Sequence, residues 1–461
     1  MTPLLSRRQL LQSSSIGFGW LALADMLSRA EGRGDPLAPK RPHFPPKAKR
    51  VIFLFMHGGP SQVDTFDYKP KLEEYDGKPL PFPKPRVVSS PTGNLLRSPW
   101  KFQRYGQSGA WVSELFPHIA KSVDDLCFIK SMYGSNSRHG GALLELHTGS
   151  DTFVRPSMGS WISYGLGTEN RDLPGFLTIC PTLTHGGVNN YSSAFLPAIY
   201  QGTPLGNASI PSDRAKVPFI KGSTSTEQQR RQIDLLAEID RERLAQLGPD
   251  PAIEGRIESF EMAFRMQAAA PSIHDLSKET IITKNRYGMD EPTTANFGRQ
   301  CLLARRFAES GVRFIQCTHS YKWDQHENLK VDHSRNAKEV DQPIAALIGD
   351  LKQRGMLEET LVIWGGEFGR TPVAQGKDGR DHNPHGFTMF LAGGGVKPGI
   401  SYGETDDFGY YSVKDKVHFH DLHATILHLL GLDHTKLTYP HAGRNFRLTD
   451  VHGEIIKGIL A

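Results

Sequence analysis

The chain has 461 residues, 54 Lys and Arg against 49 Asp and Glu, a formal net charge of +5, 19 His and only four Cys. This length fits one large or two smaller domains. The positive excess gathers near the start (Arg7, Arg8, Arg29, Arg33, Lys40, Arg41, Lys47, Lys49 and Arg50 against Asp25, Glu31 and Asp35), so the rest is near neutral, and the lack of a broad basic run argues against nucleic acid as a partner.

The first segment reads as an address. Ser6-Arg7-Arg8-Gln9-Leu10-Leu11 precedes a short apolar stretch, Ile16 to Leu27, broken by Gly17, Gly19 and Asp25. That stretch is too short to span a bilayer stably. A twin arginine, a weak apolar region and small residues at Ala24 and Ala30 are the pattern of a twin-arginine signal, expected over residues 1–30. It implies the twin-arginine translocase as a partner during export and a periplasmic or extracellular location. Residues 31–49, rich in Pro, Lys and Arg, are expected to be a linker. Residues 50–461 form the body. Its cysteines, Cys127, Cys180, Cys301 and Cys317, make no C-x-x-C pair and are expected as buried thiols.

Along the body, Val51-Ile52-Phe53-Leu54-Phe55-Met56 is a continuous apolar run that enters His57-Gly58-Gly59-Pro60. Such a run predicts a strand buried on both faces. Further strands are expected over 125–132, 313–317, 360–364 and 387–392. Helical spacing of apolar residues predicts helices over 296–310, 340–354 and 420–430. Residues 223–270 are polar, charged and broken at Gly248-Pro249-Asp250-Pro251, and are expected to be two helices inserted beside the main fold. Alternating helices and buried strands predict an α/β fold, a doubly wound, largely parallel sheet with helices on both faces.

The chemistry-bearing residues follow the strands. After the first come His57 and Asp64, both candidate ligands, with glycines that let backbone approach a ligand. Ser135-Asn136-Ser137-Arg138-His139 opens an apolar helical run, where backbone N–H groups bind anions. Ser135 or Ser137 is a candidate nucleophile, and Arg138 a candidate partner for phosphate or sulfate. Asp324 and His326 stand two apart in an extended segment and point the same way. Glu367 follows a strand through two glycines, with Arg370 beside it, and Arg138 or Arg370 is the candidate to stabilise developing charge. Asp381, His382 and His385 lead into the last strand. His420, Asp421 and His423 are weaker candidates. Imidazole with carboxylate is a ligand set for Zn, Mn or Fe. The expected metal ligands are Asp324, His326, Glu367, Asp381, His382, His385 and His57, holding one or two divalent ions (Zn, Mn, Fe or Ca).

Four segments carry a family resemblance: Phe55 to Asp67, Trp323-Asp324-Gln325-His326-Glu327, Trp364 to Pro372, and Gly379 to Gly386, with His420 to Leu427 behind them. From about Arg50 onward the chain resembles the DUF1501 family of exported bacterial proteins, within the alkaline phosphatase-like superfamily. The resemblance implies a doubly wound α/β fold, divalent metals, and hydrolysis or transfer of phosphate, sulfate or phosphonate groups. It places Asp324, His326, Glu367, His382 and His385 among the ligands and the Ser/Arg segment at the nucleophile. The chain departs from the superfamily where His57-Gly58-Gly59 replaces an Asp after the first strand. It also lacks the C/S-x-P/A-x-R motif, which argues against a formylglycine sulfatase. Two readings result. One is a metal-dependent hydrolase of phosphate or sulfate esters, acting on small molecules or polysaccharides. The other is a non-catalytic relative that binds a ligand in the cell envelope.

Overall fold

The computed structural model describes residues 36–83, 92–216, 224–248 and 250–461. The expected export signal lies outside them. The fold is a doubly wound α/β sheet of nine strands. In chain order these are β1 (Arg50–Met56), β2 (Leu126–Tyr133), β3 (Phe176–Ile179), β4 (Thr203–Leu205), β5 (Phe314–His319), β6 (Thr360–Gly365), β7 (Phe387–Ala392), β8 (Ile400–Tyr402) and β9 (Val417–His418). The spatial order is β8-β2-β7-β6-β1-β5-β3-β4, with β9 also paired to β2. β1 lies between β5 and β6, parallel to both. Only β7 runs antiparallel to its neighbours, β2 and β6.

The expected strand positions hold because each is a continuous apolar run, and both faces are covered. Along β1, Ile52, Leu54 and Met56 enter one core and Val51, Phe53 and Phe55 the other, as the two-residue side-chain period requires. The α-helices of six residues or more are α1 (His139–Thr148), α2 (Met158–Leu166), α3 (Thr226–Leu247), α4 (Pro251–His274), α5 (Ile281–Arg286), α6 (Pro292–Glu309), α7 (Leu329–Gln353) and α8 (Phe419–Leu429). The first core is closed by α6 and α7, through Leu302, Phe307, Ile344 and Leu347. The second is closed by α1, α2 and α8, through Leu143, Trp161, Leu422 and Ile426.

Three features differ from the sequence reading. α7 begins at Leu329 rather than 340, and carries Pro343 in its interior. Its first turns are polar and its proline is a helix breaker, so the apolar stripe alone points to a later start. Residues 36–49, expected to be a linker, lie along the body. Leu37 and Ala48 are buried, the amides of Lys47 and Ala48 donate to the Leu429 carbonyl, and Phe44 packs on His428 at 4.9 Å. Lys40 anchors this strap. Its Nζ donates to the Tyr164 carbonyl at 2.7 Å above the rings of Tyr164 and Tyr200, and burial pushes it down to about 8. Finally, the Arg370 and Asp381 segments form a hairpin of two strands, Gly369–Gln375 and Gly379–Asn383, joined at one edge by Thr92–Leu95.

Candidate metal centre

The parallel strands β1, β5 and β6 end side by side, and the residues that follow them meet there, as expected for a doubly wound sheet. After β5, the segment to His326 is fixed by a buried chain of bonds. Trp323 Nε1 donates to His319 Nδ1 at 2.8 Å, and His319 Nε2 pairs with Glu339 at 2.7 Å. This turns Asp324 inward, close under the first turn. Gly58, at φ 117°, is required there, because a Cβ would stand 2.7 Å from the Asp324 amide nitrogen.

Asp324 Oδ1 is the hub. Around it lie His326 Nε2 at 2.9 Å, His382 Nε2 at 3.1 Å, His139 Nε2 at 3.3 Å and an Arg370 nitrogen at 2.6 Å. Burial by itself raises the Asp324 carboxyl, but bonds from His139 and His326 and the charge of Arg370 hold it well below the carboxylate range. His382 provides the test of fit for a cation. Its Nδ1 stands 2.7 Å from the Ser137 carbonyl, which can only accept, so that nitrogen carries the hydrogen. Burial pushes His382 down to about 4, so the ring is neutral at pH 7. Its Nε2 lone pair therefore faces an anionic oxygen. A divalent cation held by both groups turns this repulsion into coordination, so the residues fit a metal.

A second group adjoins the first through His139. Ligand atoms of His57, His139 and His185 lie within 4.8 Å of one another, as do those of His139, Asp324 and His382, and those of His326, Asp381 and His382. His57 Nε2 and His185 Nδ1 are 3.2 Å apart, and His57 Nδ1 is buried with no hydrogen-bond partner. Burial lowers His57 to about 4 and also lowers His185, leaving both neutral. His139 differs. Burial lowers it, but Asp324 and Glu367 outweigh that effect and raise it to about 8.

Glu367 is fully buried behind His139. Its Oε1 stands 2.6 Å from His139 Nδ1 and accepts the Gly58 N–H at 3.0 Å. Burial raises its carboxyl, but the bond and charge of His139 bring it down to about 2. It orients an imidazole from behind instead of joining the triads, the arrangement by which carboxylates fix metal-ligating histidines. The same bond occupies the Gly58 N–H, which is therefore not open to an oxyanion.

The other expected residues are placed as follows. Asp381 joins His326 and His382, its Oδ1 3.9 Å from His326 Nδ1 and accepting the His382 N–H at 2.8 Å. His385 is not in the centre; its ring lies against Tyr411 at 5.4 Å, because Pro384 and Gly386 turn the chain away into β7. Asp64 is also elsewhere, in a buried pair with Arg380 at 2.7 Å. Arg370 is fully buried, with its donors spent on the carbonyls of Gly58, Gly59, Trp323 and Arg380 and on Asp324. It neutralises Asp324 and braces the turns from a fully buried position. Ser135 Oγ faces His418 Nε2 at 3.1 Å, in a different pocket. Ser137 reaches the centre through its carbonyl, and Arg138 is exposed at the start of α1. His420 and His423 donate to the carbonyls of Gly149 and Leu146, and Asp421 caps α8, so all three are structural. The four cysteines are buried and free.

His139 and His185 carry a signal in the sequence. The chain contains three His-Gly-Gly tripeptides, His57-Gly58-Gly59, His139-Gly140-Gly141 and His185-Gly186-Gly187. Their histidines are the three members of one group. At Gly58 and Gly186 the backbone passes close by or turns sharply, with φ of 117° and 102°, whereas Gly140 and Gly141 continue α1.

A family model described as "Protein of unknown function (DUF1501)" matches residues 48–460. No curated relative matches the chain. Among solved structures, a lipoteichoic acid synthase from Listeria monocytogenes is similar at 10% identity over 93% of this chain and 81% of that one, with a TM-score of 0.39. A sulfatase from Pseudoalteromonas sp. is similar at 13% identity over 89% and 70%, with a TM-score of 0.34. An alkaline phosphatase from the Antarctic bacterium TAB5 is similar at 10% identity over 83% and 98%, with a TM-score of 0.35.

Proposed function

The chain belongs to the DUF1501 family, and we propose that it is an exported, metal-dependent hydrolase of phosphate or sulfate esters. The observation that carries this reading is the convergence of His139, His326 and His382 on one oxygen of Asp324, with the His382 lone pair turned toward it. One or two divalent ions would be held by Asp324, His382, His139 and His326, with Asp381 beside them and His57 and His185 on the far side of His139. Such an ion polarises an ester oxygen and lowers the pKa of a water molecule.

The protein's own groups do the rest. Glu367 fixes the His139 ring from behind. Arg370 balances the Asp324 charge without leaving the interior. His139 is the first residue of α1, so the centre lies at a helix N-terminus, where backbone N–H groups favour an anionic ester. His326 and Tyr321 are 32% and 45% exposed and form the open side by which a substrate enters. The Tyr321 hydroxyl donates to Asp324 Oδ2 at 3.1 Å, and burial together with the Asp324 charge raises it to about 12, so it is a donor and not a base. Ser135 is held by His418, which favours water over serine as the nucleophile. The twin arginine, Arg7-Arg8, supports export to the periplasm or beyond.

The same placement of Ser135 favours a second reading, a binding protein of the cell envelope that holds an ion without turnover. Elemental analysis separates the readings when joined to a panel of aryl phosphate and sulfate esters. The hydrolase reading expects one or two equivalents of Zn, Mn, Fe or Ca, turnover of at least one ester class, and loss of both in Asp324→Asn and in His382→Ala. Metal without turnover across the panel selects the binding protein. A folded chain that neither carries nor takes up metal rejects both.

A further inference from the structure

We propose that the cavity between α4, α5 and α6 is a binding site for anionic phospholipid, by which the protein docks on a membrane surface. The cavity holds about 610 Å³, within the roughly 300–1,000 Å³ usual for ligand sites. Its floor and walls are apolar, from Ala270, Pro271, Leu276 and Met289. Its rim is cationic, from Lys216, Lys284 and Arg299. These cations arrive from three segments of the chain, and none of them pairs with a carboxylate among the described residues. The acidic residue of the wall, Asp275, is turned onto the Ser277 N–H at 2.9 Å. The charges of Arg299 and Lys216 are both felt at His274 in the same wall. Three cations against the single carboxylate of Asp275 thus surround an apolar hollow, which complements an anion carrying an apolar body.

A second observation concerns α5, the helix that supplies Lys284. Ile281 and Ile282 on α5 are 68% and 78% exposed, among the most exposed apolar side chains of the described residues. Ile281 stands three residues before Lys284, hence on the same helical face. Exposed isoleucines beside lysine and arginine match a bilayer interface, where apolar groups enter the acyl boundary and cations meet anionic headgroups. No helix of the described residues is long and apolar enough to cross a membrane, so this face would lie on the bilayer without spanning it.

The test is vesicle sedimentation of the full chain, which reads binding and does not depend on the metal centre. Vesicles of phosphatidylcholine containing phosphatidylglycerol are expected to carry the protein down, and those of phosphatidylcholine alone are not. Added salt should weaken the binding. Lys284→Glu combined with Arg299→Glu should weaken it about tenfold or more. Ile281→Ser combined with Ile282→Ser, at surface positions that empty no core, should weaken it as well. Any contribution of residues 1–35 is common to all these proteins and cancels in the comparison. Soluble dihexanoyl phosphatidylglycerol should compete for the cavity. Equal binding to both vesicle types, parental binding by the charge-reversed variant, or binding of the short-chain lipid without binding of vesicles would each overturn membrane docking.

Discussion

At the scale of single residues, the centre depends on hydrogens whose positions are forced. His382 must present a lone pair to Asp324, and His139 must present one nitrogen inward, because the Ser137 carbonyl and Glu367 occupy their other sides. Glu367→Gln keeps the size of the side chain but removes the charge that orients His139. Ion affinity is expected to fall roughly 10- to 100-fold, the usual cost of losing such a support, as read by metal titration; unchanged affinity would show that Glu367 does not orient a ligand. Asp341, far from the centre, makes a different prediction. It accepts the N–H groups of His118 and Ile119, both at 2.8 Å, yet burial raises its carboxyl to about 7. The folded chain thus holds this proton more tightly than the unfolded chain, whose value is the ordinary 3.8. The resulting stabilisation is complete below the unfolded value and is lost as pH rises from about 4 to 7. The Tm of the parent, measured against Asp341→Asn, should lose ground across that window, whereas parallel curves would reject the shift. Residue types at strand ends made Asp324, His326, Asp381, His382 and His57 legible as candidates. His139 and His185 were missed because each lies outside the carboxylate-rich strings, and only the repetition of His-Gly-Gly links them.

At the scale of elements, the strands of the main sheet were legible because burial on both faces leaves unbroken apolar runs. The hairpin of Gly369–Gln375 and Gly379–Asn383 was not. Its strands are polar yet buried, satisfied by pairing instead of by apolar contact. Arg380 shows how. It is fully buried, bonded to Asp64 at 2.7 Å and to the carbonyls of Thr371 and Leu96 at 3.1 and 3.0 Å. Such a residue reads in sequence as surface, and its partner lies more than three hundred residues earlier. Arg380→Ala leaves the Asp64 charge buried and unpaired, so a loss of about 3–5 kcal/mol is expected, measurable by denaturant unfolding. A loss below 1 kcal/mol would mean that water replaces the guanidinium. The His57–Pro60 turn rests on this hairpin through Arg370, so the element that sequence patterning hides is also the one that positions the centre.

At the scale of the whole molecule, the alternation of helices and apolar runs was enough to read a doubly wound sheet, because each buried run has one way to hide both faces. The packed strap of residues 36–49 was not readable, since proline and lysine give the same composition to a tether and to a bound segment. Its anchors, Leu37 and Lys40, become visible only beside Leu166, Tyr164 and Tyr200. An ion that binds the folded chain alone stabilises it by mass action, by about 2.7 kcal/mol at a hundred times its dissociation constant. A chelator should therefore lower Tm by several degrees, and added Zn or Mn should restore it; a Tm indifferent to both would argue against a resident ion. The candidate ligands are residues 57, 139, 185, 324, 326, 381 and 382, so their nest exists only after β1, β2, β3, β5 and the late hairpin have all found their places. A half-folded chain offers only fragments of that set, such as Asp324 with His326. Ion capture would thus act as a certificate of completed folding.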